Sequence, residues 1–211
     1  MLIIDLTLPL SDADLPFTEP SGYRDPPTRI EPWVAIGQQS GTRTSPFHVS
    51  HLHLSAHAGT HIDAPSHFHD GAPTVSDLLP AALAGRAVVI DLRHAAADLV
   101  SRLREAAVRA AKADVTPLLL TPPQWLTPAG VDEVITWSRP LIAFAGEADS
   151  DDGYVALSRL LAAGLWIATN LDPTKAALVQ DGDLLVVAPL AISGIEASPC
   201  RVLAIRETTP R

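Results

Sequence analysis

The sequence predicts an α/β protein folded as one domain over residues 1–211. Through residues 86–172, short apolar segments rich in β-branched residues alternate with amphipathic segments of helical period, a pattern typical of helices packed on a sheet. On either side of this region the apolar segments are all of strand type. With 47% hydrophobic residues and no repeat or low-complexity linker, the chain is long enough to bury one substantial core.

The first half of the chain combines strands with irregular segments. Residues 1–7 are apolar and β-branched and predict a strand, whereas residues 8–32 are rich in proline, glycine and acids and predict a long irregular arm. Alternating polarity in FHVSHLHLS (47–55) predicts a strand that leads into a histidine-rich segment. Helix-favouring caps at the start of residues 74–85 and a glycine at their end predict a short helix there.

The second half shows the clearer periodicity. Apolar residues spaced three and four apart predict a long helix over residues 95–114, and further helices are predicted over 127–138 and 153–164. The predicted strands are 86–94, 115–121, 139–148, 165–171, 182–190 and 200–208.

Composition excludes several classes of function. The net charge of -9 and the absence of Lys/Arg clusters argue against nucleic acid as a partner, because the chain would repel phosphate. No apolar run approaches membrane-spanning length, and the N-terminus lacks the basic region of a signal peptide. The lone Cys200 allows no internal disulfide and suits a reducing compartment. These features predict a cytoplasmic protein, and its low charged fraction of 18% is compatible with self-association.

The densest group of polar side chains lies in the segment HAGTHIDAPSHF, residues 57–68. His61 and Asp63 are two residues apart, so an extended chain would project both from one face. Gly59 and Pro65 disfavour a helix, and a turn or bulge at Gly59 would bring His57 to the same point. We therefore expect an extended strand next to a bulge.

Two imidazoles and a carboxylate form a common ligand set for zinc, manganese or iron. Three protein ligands leave a position for a water molecule, which the ion would acidify. His67 lies beyond this set, and the titration range of imidazole suits proton transfer. The alternative is a solvated polar loop, but the added aspartate, the Gly-Thr pair, the proline and a further histidine favour a site.

The same segment resembles the signature H-x-G-T-H-x-D-x-P-x-H-F of the cyclase family, which includes bacterial kynurenine formamidase and isatin hydrolase. The segments IIDLTLPL, FHDGAPTVSDL and APLAISGIEASPCRVLAI are similar to other parts of the family pattern, so the resemblance covers most of the chain. It implies a three-layer β/β/α fold of the swivelling-domain type with a mixed sheet, assembled as a homodimer or homotetramer. It also implies that His57, His61 and Asp63 bind the metal and that His67 is the catalytic acid/base.

The chain departs from formamidases where those enzymes hold a second metal ion with a later histidine and glutamate. In the matching segment LSRLLAAGLWIATNL, the histidine position is Leu157 and the glutamate position is Thr169. Neither side chain is a suitable ligand for a divalent ion. We therefore expect one divalent ion per chain, zinc or manganese, which resembles the single manganese of isatin hydrolase.

The leading hypothesis is a metal-dependent hydrolase that cleaves an amide-type C–N bond of a small aromatic substrate. The model reaction is that of an arylformamidase in tryptophan catabolism, which converts N-formylkynurenine to kynurenine and formate. The alternatives are a metal-dependent cyclase, ring-opening hydrolase or eliminating enzyme acting on a small natural product, and a non-catalytic protein that binds a metal or ligand. Thr60, near the expected oxyanion, and His53, on the strand face shared with His51, are candidate pocket residues.

Overall fold

The computed structural model describes residues 1–12, 25–93, 98–110, 115–121, 126–137, 140–146 and 150–207. Within these residues the strands are β1 (Leu2–Asp5), β2 (Arg29–Val34), β3 (Gln39–Ser40), β4 (Arg43–Thr44), β5 (Val49–His53), β6 (His61–Asp63), β7 (Ala84–Ile90), β8 (Val115–Leu119), β9 (Leu141–Phe144), β10 (Trp166–Thr169), β11 (Leu184–Pro189) and β12 (Ala197–Arg206). The helices are α1 (Leu99–Ala110), α2 (Pro128–Ile135), α3 (Asp151–Ala162) and α4 (Pro173–Ala176), with 3₁₀ turns at Pro65–His67, Val75–Asp77 and Pro80–Ala82.

Seven strands of the main sheet close into a ring. Their order is β12, β11, β7, β8, β9, β10 and β6, and β6 pairs again with β12, while β1 adds to β12 as an eighth strand. Strands β7 to β10 are parallel neighbours, and α1, α2 and α3 lie in the connections between them. The three-residue strand β6 runs antiparallel to both β10 and β12 and completes the ring. The predicted α/β class with a mixed sheet is confirmed.

Two apolar cores lie on opposite faces of this sheet. Because successive strand residues point to opposite faces, Leu118 joins a cluster that contains side chains from every strand of the ring, whereas Leu119 joins a second cluster. The second cluster combines the outer faces of β7 to β10 with α1, α2 and α3. The interior core between strands and the outer core beneath helices give the three layers expected of a β/β/α arrangement.

The predicted helix over residues 74–85 is wrong. Thr74 and Asp77 form a capping box, but they cap only a single 3₁₀ turn. Pro80 disfavours helical backbone at the residue before it, and Leu79 accordingly adopts an extended ψ of 136°. Gly85 lies inside β7, where a Cβ would come within 2.5 Å of the Thr116 hydroxyl, so the glycine permits close strand packing and does not end a helix.

The irregular arm predicted over residues 8–32 is wrong at its C-terminal end, where the structure has a strand. Residues Arg29–Val34 form β2, which pairs with β5 in a separate two-stranded hairpin whose residues are almost all exposed. The strand predicted over 47–55 is confirmed by β5, while the middle of the arm, residues 13–24, lies outside the described residues. None of the helices that the structure describes is long and apolar enough to cross a bilayer.

Candidate metal centre

The predicted strand at the histidine segment is present, and a turn at Gly59 stands in place of the predicted bulge. In β6 the side chain of Ile62 is fully buried in the interior core, so His61 and Asp63 project together from the outer face. Just before the strand, Gly59 has a φ of +59°, and a Cβ there would lie 2.5 Å from a Leu10 methyl carbon. The left-handed backbone favours glycine at this turn, and a side chain there would also displace the Leu10 methyl group.

The turn returns His57 to the face of β6 that carries the other two predicted ligands. The Nδ1 atom of His57 lies 3.0 Å from Oδ1 of Asp63, and Nε2 of His61 lies 3.4 Å from the same oxygen. One ligand atom from each residue falls within 4.8 Å of the others. These separations are compatible with a shared ion, because neighbouring ligands of a tetrahedral zinc site stand about 3.4 Å apart.

A network of hydrogen bonds fixes the orientation of His61. Its Nδ1 lies 2.7 Å from the Gly59 carbonyl oxygen. Because a carbonyl can only accept, Nδ1 carries a proton, and Nε2 is the ring nitrogen that faces Asp63. The side-chain amide of Asn170 donates to the same carbonyl at 3.2 Å, and Asn170 itself has a φ of 56°. Asn170 therefore braces the turn that aims His61.

Thr60 is buried, and its hydroxyl group both donates and accepts a hydrogen bond. It donates to the Asn170 carbonyl at 2.7 Å and accepts from the backbone N–H of Leu8 at 2.9 Å. These bonds tie the turn to the end of β10 and to the N-terminal segment. His53, the other candidate pocket residue, lies on the β2–β5 hairpin beside Glu31 and His51. The roles of Thr60 and His53 in a substrate pocket stay predictions.

The charges of the three predicted ligands support one another. Burial alone would raise the pKa of Asp63, but the charges of His61 and His57 and their hydrogen bonds hold it far below its usual range. Burial alone would lower the pKa of His57, but the hydrogen bond and charge of Asp63 outweigh this effect and raise it. Asp63 is thus a buried, ionised carboxylate facing two imidazoles, a donor set that fits a divalent ion of the zinc or manganese type.

His67 lies beside this group on a different backbone element. Pro65 begins the 3₁₀ turn Pro65–His67, where a proline in the first position is well tolerated. The turn places the His67 ring 4.3 Å from that of His57. Burial lowers the pKa of His67, so its imidazole is neutral at neutral pH and can accept a proton.

Comparison with known proteins identifies the family. The family model described as Putative cyclase matches residues 4–119, which include the entire histidine segment. The kynurenine formamidase of Bordetella petrii is 30% identical over 190 residues, covering 82% of this chain and 87% of that protein. The chain belongs to the cyclase family. Its homologues are hydrolases, and this cyclase-family protein is an enzyme of the same class.

Solved structures of cyclase-family proteins share the fold. Isatin hydrolase A from Labrenzia aggregata, solved with benzyl benzoate, gives a TM-score of 0.74 at 23% identity, covering 98% of this chain and 94% of that chain. Isatin hydrolase A from Ralstonia solanacearum gives a TM-score of 0.72 at 22% identity, covering 97% and 92% of the two chains. At these sequence identities, the structural similarity shows that this chain has the same fold as the two isatin hydrolases.

The positions expected to replace the second-metal ligands are both buried in this cyclase-family protein. Leu157 on α3 packs in the outer core between helices and sheet. Thr169 pairs with His61 across β10 and β6, and its hydroxyl donates to the Gly146 carbonyl at 2.8 Å. Among the described residues, neither position belongs to a group of metal-ligating side chains. Cys200 lies in the interior core, where burial raises the pKa of its thiol to about 12 and so disfavours the reactive thiolate.

Glu196 is a site residue that the local sequence pattern did not reveal. Its Oε1 lies 3.5 Å from Nε2 of His57, on the side of the ring opposite Asp63. The pairing of β6 with β12 brings it there, and its carbonyl accepts from the N–H of Ala64 at 2.8 Å. A carboxylate behind a metal-binding histidine orients the ring and raises its basicity. The only sequence signal was its position in the segment APLAISGIEASPCRVLAI.

Proposed function

We propose that this protein hydrolyses an amide-type C–N bond of a small aromatic substrate in the manner of an arylformamidase, with N-formylkynurenine as the model substrate. The observation that carries the proposal is the buried Asp63 carboxylate between His57 and His61, with a neutral imidazole beside it at His67. The kynurenine formamidase of Bordetella petrii, at 30% identity, supports this choice of substrate class.

The centre is proposed to hold one divalent ion, zinc or manganese, through His57, His61 and Asp63. When bound, such an ion supplies a Lewis acid and makes water a usable nucleophile near neutral pH. Leu157 and Thr169 offer no imidazole or carboxylate for a second ion, which supports a single occupied position. Glu196 holds the far side of the His57 ring, while the Gly59 carbonyl holds that of His61.

Amide hydrolysis adds the oxygen of water to the carbonyl carbon, breaks the C–N bond and delivers a proton to the leaving nitrogen. His67 is proposed to move that proton. Its imidazole starts neutral, so it can take a proton from the attacking water and then return one to the amine. Its position on a separate 3₁₀ turn, and not on β6, lets it face the reacting atoms without joining the ligand set.

The substrate proposal can be tested with two amides on the metal-loaded protein. N-formylkynurenine should yield formate, and removal of the ion by a chelator should abolish the release, with recovery on adding Zn²⁺ or Mn²⁺. Isatin, a cyclic amide, serves as the comparison. Ring opening of isatin without formate release would favour the ring-opening alternative, and inactivity on both by a protein that contains its ion would favour a binding role.

We also propose that the protein assembles as a homodimer or homotetramer through the β2–β5 hairpin. One face of the hairpin carries Ile30 and Leu52, which pair across the two strands and are 41% and 55% exposed. A two-stranded hairpin is marginally stable alone in water, so covering this apolar face would stabilise it.

Light scattering at micromolar concentration should give at least twice the chain mass of 22.3 kDa. Leu52→Glu should shift the protein toward the monomer, because it places a charge in the proposed interface. Val108→Glu is the matched control, since Val108 is an exposed apolar residue on α1. A monomeric wild-type protein, or equal masses for wild type and Leu52→Glu, would contradict the proposal.

A further inference from the structure

The β2–β5 hairpin carries a second group of metal-ligating side chains, Glu31, His51 and His53, none of which belongs to the centre on β6. We propose that these three residues form a surface site for a divalent ion of the zinc class. The ion would join β2 to β5. This inference goes beyond the proposed hydrolysis and does not depend on it.

Strand geometry alone brings the three side chains together. His51 and His53 are two residues apart on β5 and therefore share one face, and Glu31 on β2 is the direct cross-strand partner of His51. The Nε2 atom of His53 lies 3.6 Å from Oε2 of Glu31, and one ligand atom from each of the three residues falls within 4.8 Å of the others. Neighbouring ligands of a tetrahedral ion stand about 3.4 Å apart, so small side-chain rotations complete the site.

The kind of ligand follows from the donor atoms. Two imidazole nitrogens and one carboxylate oxygen favour Zn²⁺, Cu²⁺ or Ni²⁺ over Mg²⁺ or Ca²⁺, which prefer sites made entirely of oxygen. His53 and Glu31 are 50% and 54% exposed, so water competes for the ion and the site binds more weakly than the buried centre. Three protein ligands leave one tetrahedral position for water.

A bound ion would also change the mechanics of the hairpin. All five residues of β5 and most of β2 are exposed, so few packing contacts hold the two strands together. An ion shared between Glu31 and the two histidines links the strands from the face opposite Ile30 and Leu52. Trp33, whose ring meets that of His51 edge-on at 5.9 Å, lies next to the site and can report its occupancy.

Titration calorimetry with Zn²⁺ alone on the His61→Ala variant isolates the hairpin site, because the buried centre has lost a ligand. One ion should bind per chain, and adding His53→Ala should weaken binding by at least about 10-fold. His48→Ala on the same background is the matched control, since His48 is an exposed histidine before β5 that lies outside the cluster. Equal isotherms for His61→Ala with and without His53→Ala, or no Zn²⁺ binding by His61→Ala, would overturn the site.

A second measurement uses the unmodified centre. Cu²⁺ should quench the fluorescence of Trp33 in the wild-type protein, and Mg²⁺ should leave it unchanged. Comparison with Trp33→Phe identifies the part of the fluorescence that comes from Trp33. Cu²⁺ should no longer quench this part in His53→Ala, but should still quench it in His48→Ala. Quenching of Trp33 that persists at the same Cu²⁺ concentrations in His53→Ala would refute the proposal. Both measurements report metal binding and neither depends on catalytic turnover. A failure of the proposed hydrolase activity would therefore leave the test of the hairpin site unaffected.

Discussion

Replacing His61 with alanine is expected to remove the tightly held ion and abolish hydrolysis. His61 is one of the three predicted protein ligands, and it lies on a strand whose residues are all buried. Substituting even the hydrogen-bonding partners of metal ligands costs 10–100-fold in affinity or activity, so the loss of a direct ligand should exceed about 100-fold. Elemental analysis after gel filtration, together with formate release, measures both effects.

The matched control for this variant is His69→Ala. The ring of His69 contacts the Ser158 carbonyl oxygen at 3.3 Å, and His69 is absent from the ligand group. That variant should keep one ion per chain after gel filtration. Weakly held ions on the exposed hairpin exchange during this step and do not enter the count. A full complement of tightly held ion in His61→Ala would show that His61 is not a ligand.

The second large effect is expected for His67→Ala, which should keep the ion but lose turnover by about 10²–10⁴-fold, the usual contribution of a positioned proton donor or acceptor. The reason is geometric. His67 contacts the His57 ring from the 3₁₀ turn, whereas the ligand group is formed by His57, His61 and Asp63. Metal analysis and kcat on the same preparation separate the two roles.

A change of leaving group sharpens this test. For a formyl ester of 4-nitrophenol, whose leaving group departs without a proton, the loss in His67→Ala should be much smaller than for N-formylkynurenine. His69→Ala should behave like wild type with both substrates. Loss of the ion from His67→Ala would make His67 a fourth ligand, and full activity with N-formylkynurenine would assign proton transfer to another group.

Local sequence pattern was sufficient to predict that the three candidate ligands lie together. The two-residue spacing of His61 and Asp63 fixes their common face in any strand, and Gly59 allows the left-handed turn that returns His57. Alternation of apolar strands and amphipathic helices likewise predicted the part of the sheet that packs against helices. In these cases the physics depends on neighbours within a few residues, which a sequence displays directly.

Other features depend on pairings between distant segments. Glu196 reaches His57 only because β12 pairs with β6, and Asn170 reaches the Gly59 carbonyl from the end of β10. Nothing in the local pattern around either residue specifies those partners. The helix wrongly predicted over residues 74–85 has a different origin: the capping residues close only a single 3₁₀ turn, and Pro80 keeps the residue before it extended.

Because β6 closes the ring of strands, the candidate metal centre can assemble only at a late stage of folding. Asp63 is paired with Ile167 on one side and with Ala197 on the other, two residues that lie far later in the chain. Contacts between residues so far apart in the sequence form late in folding, because the entropy cost of closing the long loops between them must be overcome first. During synthesis from the N-terminus, the histidine segment therefore leaves the ribosome long before both strands that flank it. A nascent chain contains the complete ligand motif but acquires its assembled centre only when β12 has been made.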